Sequence, residues 1–165
     1  MTRVFLSLAA MAFLGLAACT TPGNDGTSFG SGIYKIRNPD KVQFRMLDSV
    51  NALRQAGGKA PLKLNAELNA AAATHSKDMA LQNRPWHFGS DGSSPLDRVT
   101  RTGYTGNVLG ETISESYENE VQTLTAWMED SATRAVLMDA KAVNMGFSWH
   151  QEENGKIWWT LITAN

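Results

Sequence analysis

The sequence predicts an α+β domain in which helices cover a small sheet. Helical apolar spacing dominates the first half of the chain, apolar strands around an Asn-Gly turn close it, and no strand-helix-strand alternation links the two. With 165 residues, 42% apolar and 19% charged, the chain can bury one core and reads as one domain. Its 15 basic and 16 acidic residues give a formal charge of -1, which leaves no cationic surplus for a phosphate backbone and speaks against nucleic acid as a partner. A single cysteine rules out an intramolecular disulfide framework and any thiolate-rich metal site.

Residues 1–18 read as a signal peptide: Arg3 supplies the positive start, and Val4 to Ala18 is uncharged and mostly apolar. The run is shorter than the roughly 20 residues a permanent bilayer-crossing helix needs. It ends Leu16-Ala17-Ala18-Cys19, which resembles the lipobox of bacterial lipoproteins, whose cysteine becomes the lipidated N-terminus. Residues 19–40 would then be the lipidated Cys19 and a tether, because Thr20 to Gly32 is rich in Gly, Ser and Thr. That resemblance implies a bacterial cell envelope, an extracytoplasmic position and a membrane partner through the lipid. Thr20 in place of Asp after the cysteine implies the outer membrane in a host that has one. An ordinary signal peptide cut beside a cysteine is the alternative.

From Asn38-Pro39-Asp40 a helix is expected, with Phe44, Leu47, Val50 or Asn51, and Leu53 or Arg54 at helical spacing, ended by Gly57-Gly58. Pro61 resets the chain. A second helix starts at Asn65, with Leu68, Ala71, Ala72, His75 and Met79 on one face. Asn83 to Gly92 is a loop rich in turn residues and aromatics. Ser94-Pro95-Leu96-Asp97 then gives a capping hydroxyl, a proline at the first helical position and a carboxylate at the third, starting a short helix that stops near Gly103. Val108 to Ser114 predicts a strand, Val121 to Met128 a helix around Trp127, and Thr133 to Met138 a further turn. Val143 to His150 and Ile157 to Ala164 predict a hairpin closed by Glu152-Glu153-Asn154-Gly155. Most of the five tryptophans should be core.

The chemistry-bearing candidates are few. His75 lies on the apolar stripe of its helix, either facing a cavity as ligand or base, or buried and satisfied by one hydrogen bond. His87 sits on a loop between Trp86 and Phe88, where packing explains a histidine less readily. Glu111 lies inside an apolar strand, so its carboxylate must find a partner or shift its pKa upward, which makes it the leading candidate. Histidines with carboxylates suit zinc and similar divalent ions. For nucleophilic catalysis Ser131 or Ser76 would need a histidine and an acid nearby, and no Gly-x-Ser-x-Gly elbow is present.

The order of motifs is similar to the CAP superfamily, the SCP or PR-1-like domain, in its short bacterial form, over residues 41–165. The matching pieces are Leu53-Arg54, Gly57 and Pro61-Leu62; Ala72 to Met79; His87 to Gly92; Asp97-Arg98 with Gly103-Tyr104; Gly110-Glu111-Thr112-Ile113; Ala126-Trp127-Met128; Arg134; Gly146-Phe147; and Trp158-Trp159-Thr160. The resemblance implies a three-layer α-β-α sandwich with a small antiparallel sheet. It also implies secretion and a cleft in which two histidines and two acids hold a divalent cation such as zinc or calcium. His87 matches the first cleft histidine and Glu111 the first cleft glutamate, the two metal ligands that carry over.

Bacterial members read Trp-x-x-Ser-x-x-His-Arg where this chain has Trp127 to Arg134, so Thr133 stands in the histidine's place and Asp130 is nearest the second acid. Loss of that imidazole implies weaker metal binding than in relatives, unless His75 or His150 substitutes. The resemblance implies a binding or interaction module for a small ligand, lipid, cell-wall material or protein, more than a turnover enzyme. The competing expectation is a metal-assisted hydrolase with Glu111 as base, His87 holding a cation or proton, and Arg98 or Arg134 orienting an anionic substrate.

Overall fold

Four strands, β1 (Lys63–Leu64), β2 (Val108–Glu115), β3 (Asn144–Gln151) and β4 (Ile157–Ala164), pair in the order β1-β3-β4-β2 in a computed structural model that describes residues 35–165. The signal peptide, the lipobox with Cys19 and the tether as far as Gly32 lie outside the described residues. β3 and β4 form the expected hairpin, β2 runs antiparallel along the other edge of β4, and β1 pairs parallel to β3. The sheet is therefore mixed: two residues joined to β3 are too short to leave a pattern in the sequence. β4 is buried along its whole length, which is why IWWTLITA reads as a nearly continuous apolar run.

Helices α1 (Pro39–Ala56), α4 (Glu120–Glu129) and α5 (Ser131–Leu137) cover one face of the sheet; α2 (Ala66–Gln82) and α3 (Pro95–Arg101) belong to the other. The result is an α+β sandwich in three layers. The larger core joins Val42, Met46 and Val50 to Leu124, Trp127, Phe147, Trp159 and Leu161. Phe147 and Trp159 stack there with ring centres 5.7 Å apart. The smaller core packs Leu68, Ala71, Ala72 and Val99 on Ile162 and Ala164. Gly146 allows the close approach of α2, because a Cβ there would come within 2.2 Å of the Leu68 carbonyl carbon. Trp127, Trp158 and Trp159 are buried.

The caps hold mostly as expected. The Asn65 side chain accepts from Leu68 N at 2.9 Å, and Ser94 with Asp97 forms a full capping box. α1 starts at Pro39 with no side-chain cap from Asn38, and Ile36, assigned from sequence to the tether, packs against the larger core.

Two elements differ from expectation. The buried face of α1 is Val42, Met46, Val50 and Arg54, so of the alternatives the structure takes Val50 and Arg54, while Phe44, expected on that face, is exposed. Arg54 is held inside by its guanidinium, which donates to the carbonyls of Ala60, Leu137, Asp139 and Ala142 at 2.7–3.3 Å. The turn expected at Thr133 to Met138 is the helix α5, started by Asp130 directly after α4. Among the described residues no helix is long and apolar enough to cross a membrane.

Candidate functional site

The site grows from one buried carboxylate. Glu111 follows Gly110 in β2, where the ladder to β4 shifts register between Val108 and Gly110, and its side chain is 1% exposed. The partner that burial demands is Arg98, whose Nη2 donates to Glu111 Oε2 at 2.7 Å. Arg98 also donates through Nη1 to the carbonyls of His87 and Ser93, both at 3.0 Å. One guanidinium thus ties α3, the 83–94 loop and β2 together.

The loop brings His87 to the same carboxylate: Nδ1 lies 2.9 Å from Glu111 Oε1, and the ring is half-exposed. A carboxylate paired with arginine only accepts, so Nδ1 carries the hydrogen, and in the neutral ring Nε2 keeps the lone pair. The loop is anchored to α2 at two points. Asp78 accepts from the Ser90 backbone and hydroxyl at 2.7 and 2.6 Å and from Gln82. Burial opposes the Asp78 charge, but these hydrogen bonds outweigh it and hold the carboxyl below its ordinary range.

The second anchor is His75, fully buried, whose Nε2 donates to the Trp86 carbonyl at 2.9 Å and lies 3.7 Å from Glu111 Oε1. Its Nδ1 has no partner. Burial pushes its pKa down against the pull of Glu111, so the neutral ring is favoured. Of the two expectations for His75, the structure places the buried histidine with one hydrogen bond.

Around His87 and Glu111 lies a cleft of about 430 Å³, walled by Pro95 and Leu96 of α3, Val108 and Leu109 of β2, and Val136 of α5. The structure brings His75, His87, Glu111 and Arg98 into one cluster, and leaves other expected residues apart from it. Asp130 is an exposed helix cap that accepts from Ala132 N and Thr133 N at 2.9 Å, and its charge is held below its ordinary range mainly by the Thr133 amide. Thr133 precedes Val136 by one turn on α5, so it shares the cleft-facing side, but its hydroxyl donates to the Trp127 carbonyl at 2.6 Å. His150 stands opposite Trp158 on the hairpin and does not line the cleft. Arg134 donates to the Met128 carbonyl at 2.8 Å, closing the end of α4. Ser76 bonds Thr160 in the core.

These donors do not fit a divalent cation. Both Glu111 oxygens are engaged and His75 Nε2 is spent on a carbonyl; the open ring nitrogens of the cluster are His75 Nδ1, buried away from the cleft, and His87 Nε2 on its half-exposed ring. Among the described residues no group of three or more His, Cys, Asp or Glu could hold a metal ion. The pairing that sequence reasoning missed is that of Arg98 with Glu111: the sequence offers Arg98, with Arg134, only for orienting a substrate in the hydrolase alternative. The signal was there: an acid inside an apolar strand requires a cation, and a basic residue stands beside Val99 on a short capped helix.

Comparison with known proteins supplies the lineage. The Bacillus subtilis protein YkwD is 26% identical over 114 residues, covering 69% of this chain and 44% of that protein, so the chain spans under half the length of this curated relative. An outer surface protein of Borrelia burgdorferi superposes with TM-score 0.71 at 13% identity, over 81% of this chain and 98% of that one. An extracellular SCP-domain protein of Bacillus anthracis gives TM-score 0.68 at 20% identity, over 79% of this chain and 45% of that one. Residues 47–163 match the family described as CAP, the cysteine-rich secretory proteins, and with that span, this fold and this motif order the chain belongs to the CAP family.

Proposed function

We propose that this protein is an envelope-anchored, extracytoplasmic lipoprotein whose CAP domain is a binding module, with the cleft at His87 and Glu111 as its ligand site. The observation that carries this is the 2.9 Å contact between His87 and Glu111 beside an apolar-walled cavity: one preset polar pair against an otherwise greasy surface. The alternative, a metal-assisted hydrolase with Glu111 as base, draws less support: among the described residues no group of three or more His, Cys, Asp or Glu could hold the metal ion. Glu111 is held by Arg98 and His87, and Arg98 and Arg134, the candidates for orienting an anionic substrate, donate within the chain. The extracytoplasmic position draws support from the structural likeness to the Borrelia outer surface protein and the Bacillus anthracis extracellular protein, and the anchor from Cys19 in its lipobox.

Two experiments test the reading. The chain should be purified from its own membranes beside a His87→Ala, Glu111→Gln double variant, and both extracted for mass spectrometry. A molecule enriched on the parent and lost from the variant is the expected result; equal recovery from both overturns the cleft. In fractionated cells Cys19→Ala should leave the membrane, and continued membrane association would discard the lipid anchor.

A further inference from the structure

The cleft's charges and its open hydrogen-bonding atoms define what can enter, on the reading of the cleft as a binding site given above. The one carboxylate in its wall, Glu111, is neutralised by Arg98 at 2.7 Å, and the remaining Arg98 hydrogen bonds go to backbone carbonyls. An incoming anion finds no unspent cation, and an incoming cation finds no unspent carboxylate. Desolvating either against Pro95, Leu96, Val108, Leu109 and Val136 costs more than the site returns. Among the side chains of the wall, what remains is His87. Its Nδ1 hydrogen points at Glu111, which leaves Nε2 as an acceptor on a half-exposed ring that lines the cleft. The Ser94 hydroxyl in the same wall already donates to Asp97.

From this arrangement we infer that the cleft takes an uncharged molecule with an apolar body and a single O–H or N–H donor, which is received by His87 Nε2, in preference to a metal ion or an anion. The residues that set this selectivity are Arg98 and His87. Arg98 cancels the charge of Glu111, so Glu111 fixes the tautomer of His87 without attracting cations. Thr133, in the place where relatives carry a second histidine, turns its hydroxyl to the Trp127 carbonyl and adds no second ligand atom.

The test uses the full chain in phospholipid nanodiscs, uniformly labelled with nitrogen-15, titrated in parallel with para-cresol, its methyl ether, para-methylbenzoate and zinc chloride. The ether keeps the ring and the oxygen, adds one methyl and removes the donor, so its added apolar area works against the expected preference. The expected result is a saturable shift of the His87 Nε2 resonance with the phenol, about tenfold tighter than with the ether. In His87→Phe, followed through the Glu111 and Val136 resonances, that preference should fall to about one. Tighter binding of the carboxylate, saturable zinc binding at His87, or equal binding of phenol and ether would overturn the inference while leaving a binding cleft in place. No shift at any cleft resonance with any of the four at millimolar concentration would overturn both.

Discussion

Arg54 and Arg98 are both buried cations, at 0% and 4% exposure, and they are satisfied in opposite ways. Among the described residues Arg54 touches no carboxylate: it donates to the carbonyl of Ala60 and to those of Leu137, Asp139 and Ala142 at and after the end of α5, and the Asp139 carboxylate acts only as a nearby charge. Burial lowers its pKa, and Asp139 offsets part of that. Arg98 spends one arm on Glu111 and the other on two carbonyls. A cation held by neutral dipoles fastens backbone segments and can be replaced by nothing shorter. A cation held by a carboxylate leaves its partner stranded when removed, but the two can be removed together. The first arrangement belongs to the fold, and the second keeps an acid buried beside an open cleft.

The largest expected effect is therefore at Arg54. Arg54→Met strands the buried carbonyls of Leu137 and Ala142, removes the bonds to those of Ala60 and Asp139, and should cost on the order of 4 kcal/mol in a urea melt. No substitution at Asp139 should restore it, because that carboxylate makes no hydrogen bond to the guanidinium. Arg98→Met should cost on the order of 3 kcal/mol, since it leaves the Glu111 charge buried without its arginine. The double variant Arg98→Met, Glu111→Leu should recover most of that loss. If it recovers none, the carbonyls of His87 and Ser93 rather than the ion pair dominate, and the contrast between the two arginines disappears.

The same contrast separates what could be read from the sequence. Helix α2 was legible because its buried face is made of Leu68, Ala71, Ala72, His75 and Met79, all at spacings of three and four, with Asn65 as an unmistakable cap. Helix α1 was legible as a helix but not in its phase. Spacing places Phe44 inward and leaves Leu53 and Arg54 as alternatives, and three of the four carbonyls that hold Arg54 lie far along the chain, where no local pattern records them. In the site, Glu111 announced itself as an acid in an apolar strand, and His87 as an imidazole among loop aromatics. Arg98 stood among the motif residues, but its pairing with Glu111 did not show, because which side of a seven-residue helix meets which strand is not recorded in local spacing. Asp130 misled for the opposite reason: a carboxylate beside a motif is as often a helix cap as a cleft acid, and the two α4 and α5 segments were read as a helix and a turn.

A third prediction concerns pH. His75 is buried in the fold, and burial places its pKa below the ordinary value in spite of Glu111. The unfolded chain then binds a proton that the folded chain refuses. The stability from this neutral ring is fully present above about pH 6.5, the ordinary histidine value, and is lost as the pH falls toward the folded value. Tm of the parent should fall as the pH is lowered through this window. His75→Gln, which keeps an N–H for the Trp86 carbonyl but cannot titrate, should fall less. Equal slopes would mean that His75 is not the group refusing the proton.

The smallest expected effect is at His87, and it sharpens the comparison most. Its ring is half-exposed, and Glu111 keeps Arg98 when the imidazole is gone. His87→Ala should therefore change stability by only about 0.5 kcal/mol. A residue whose loss abolishes ligand recovery while the melt barely moves is held in place for what it meets in the cleft. A loss as large as that of Arg98→Met would instead make His87 part of the clamp that closes the 83–94 loop, and the imidazole would be structural like Arg54.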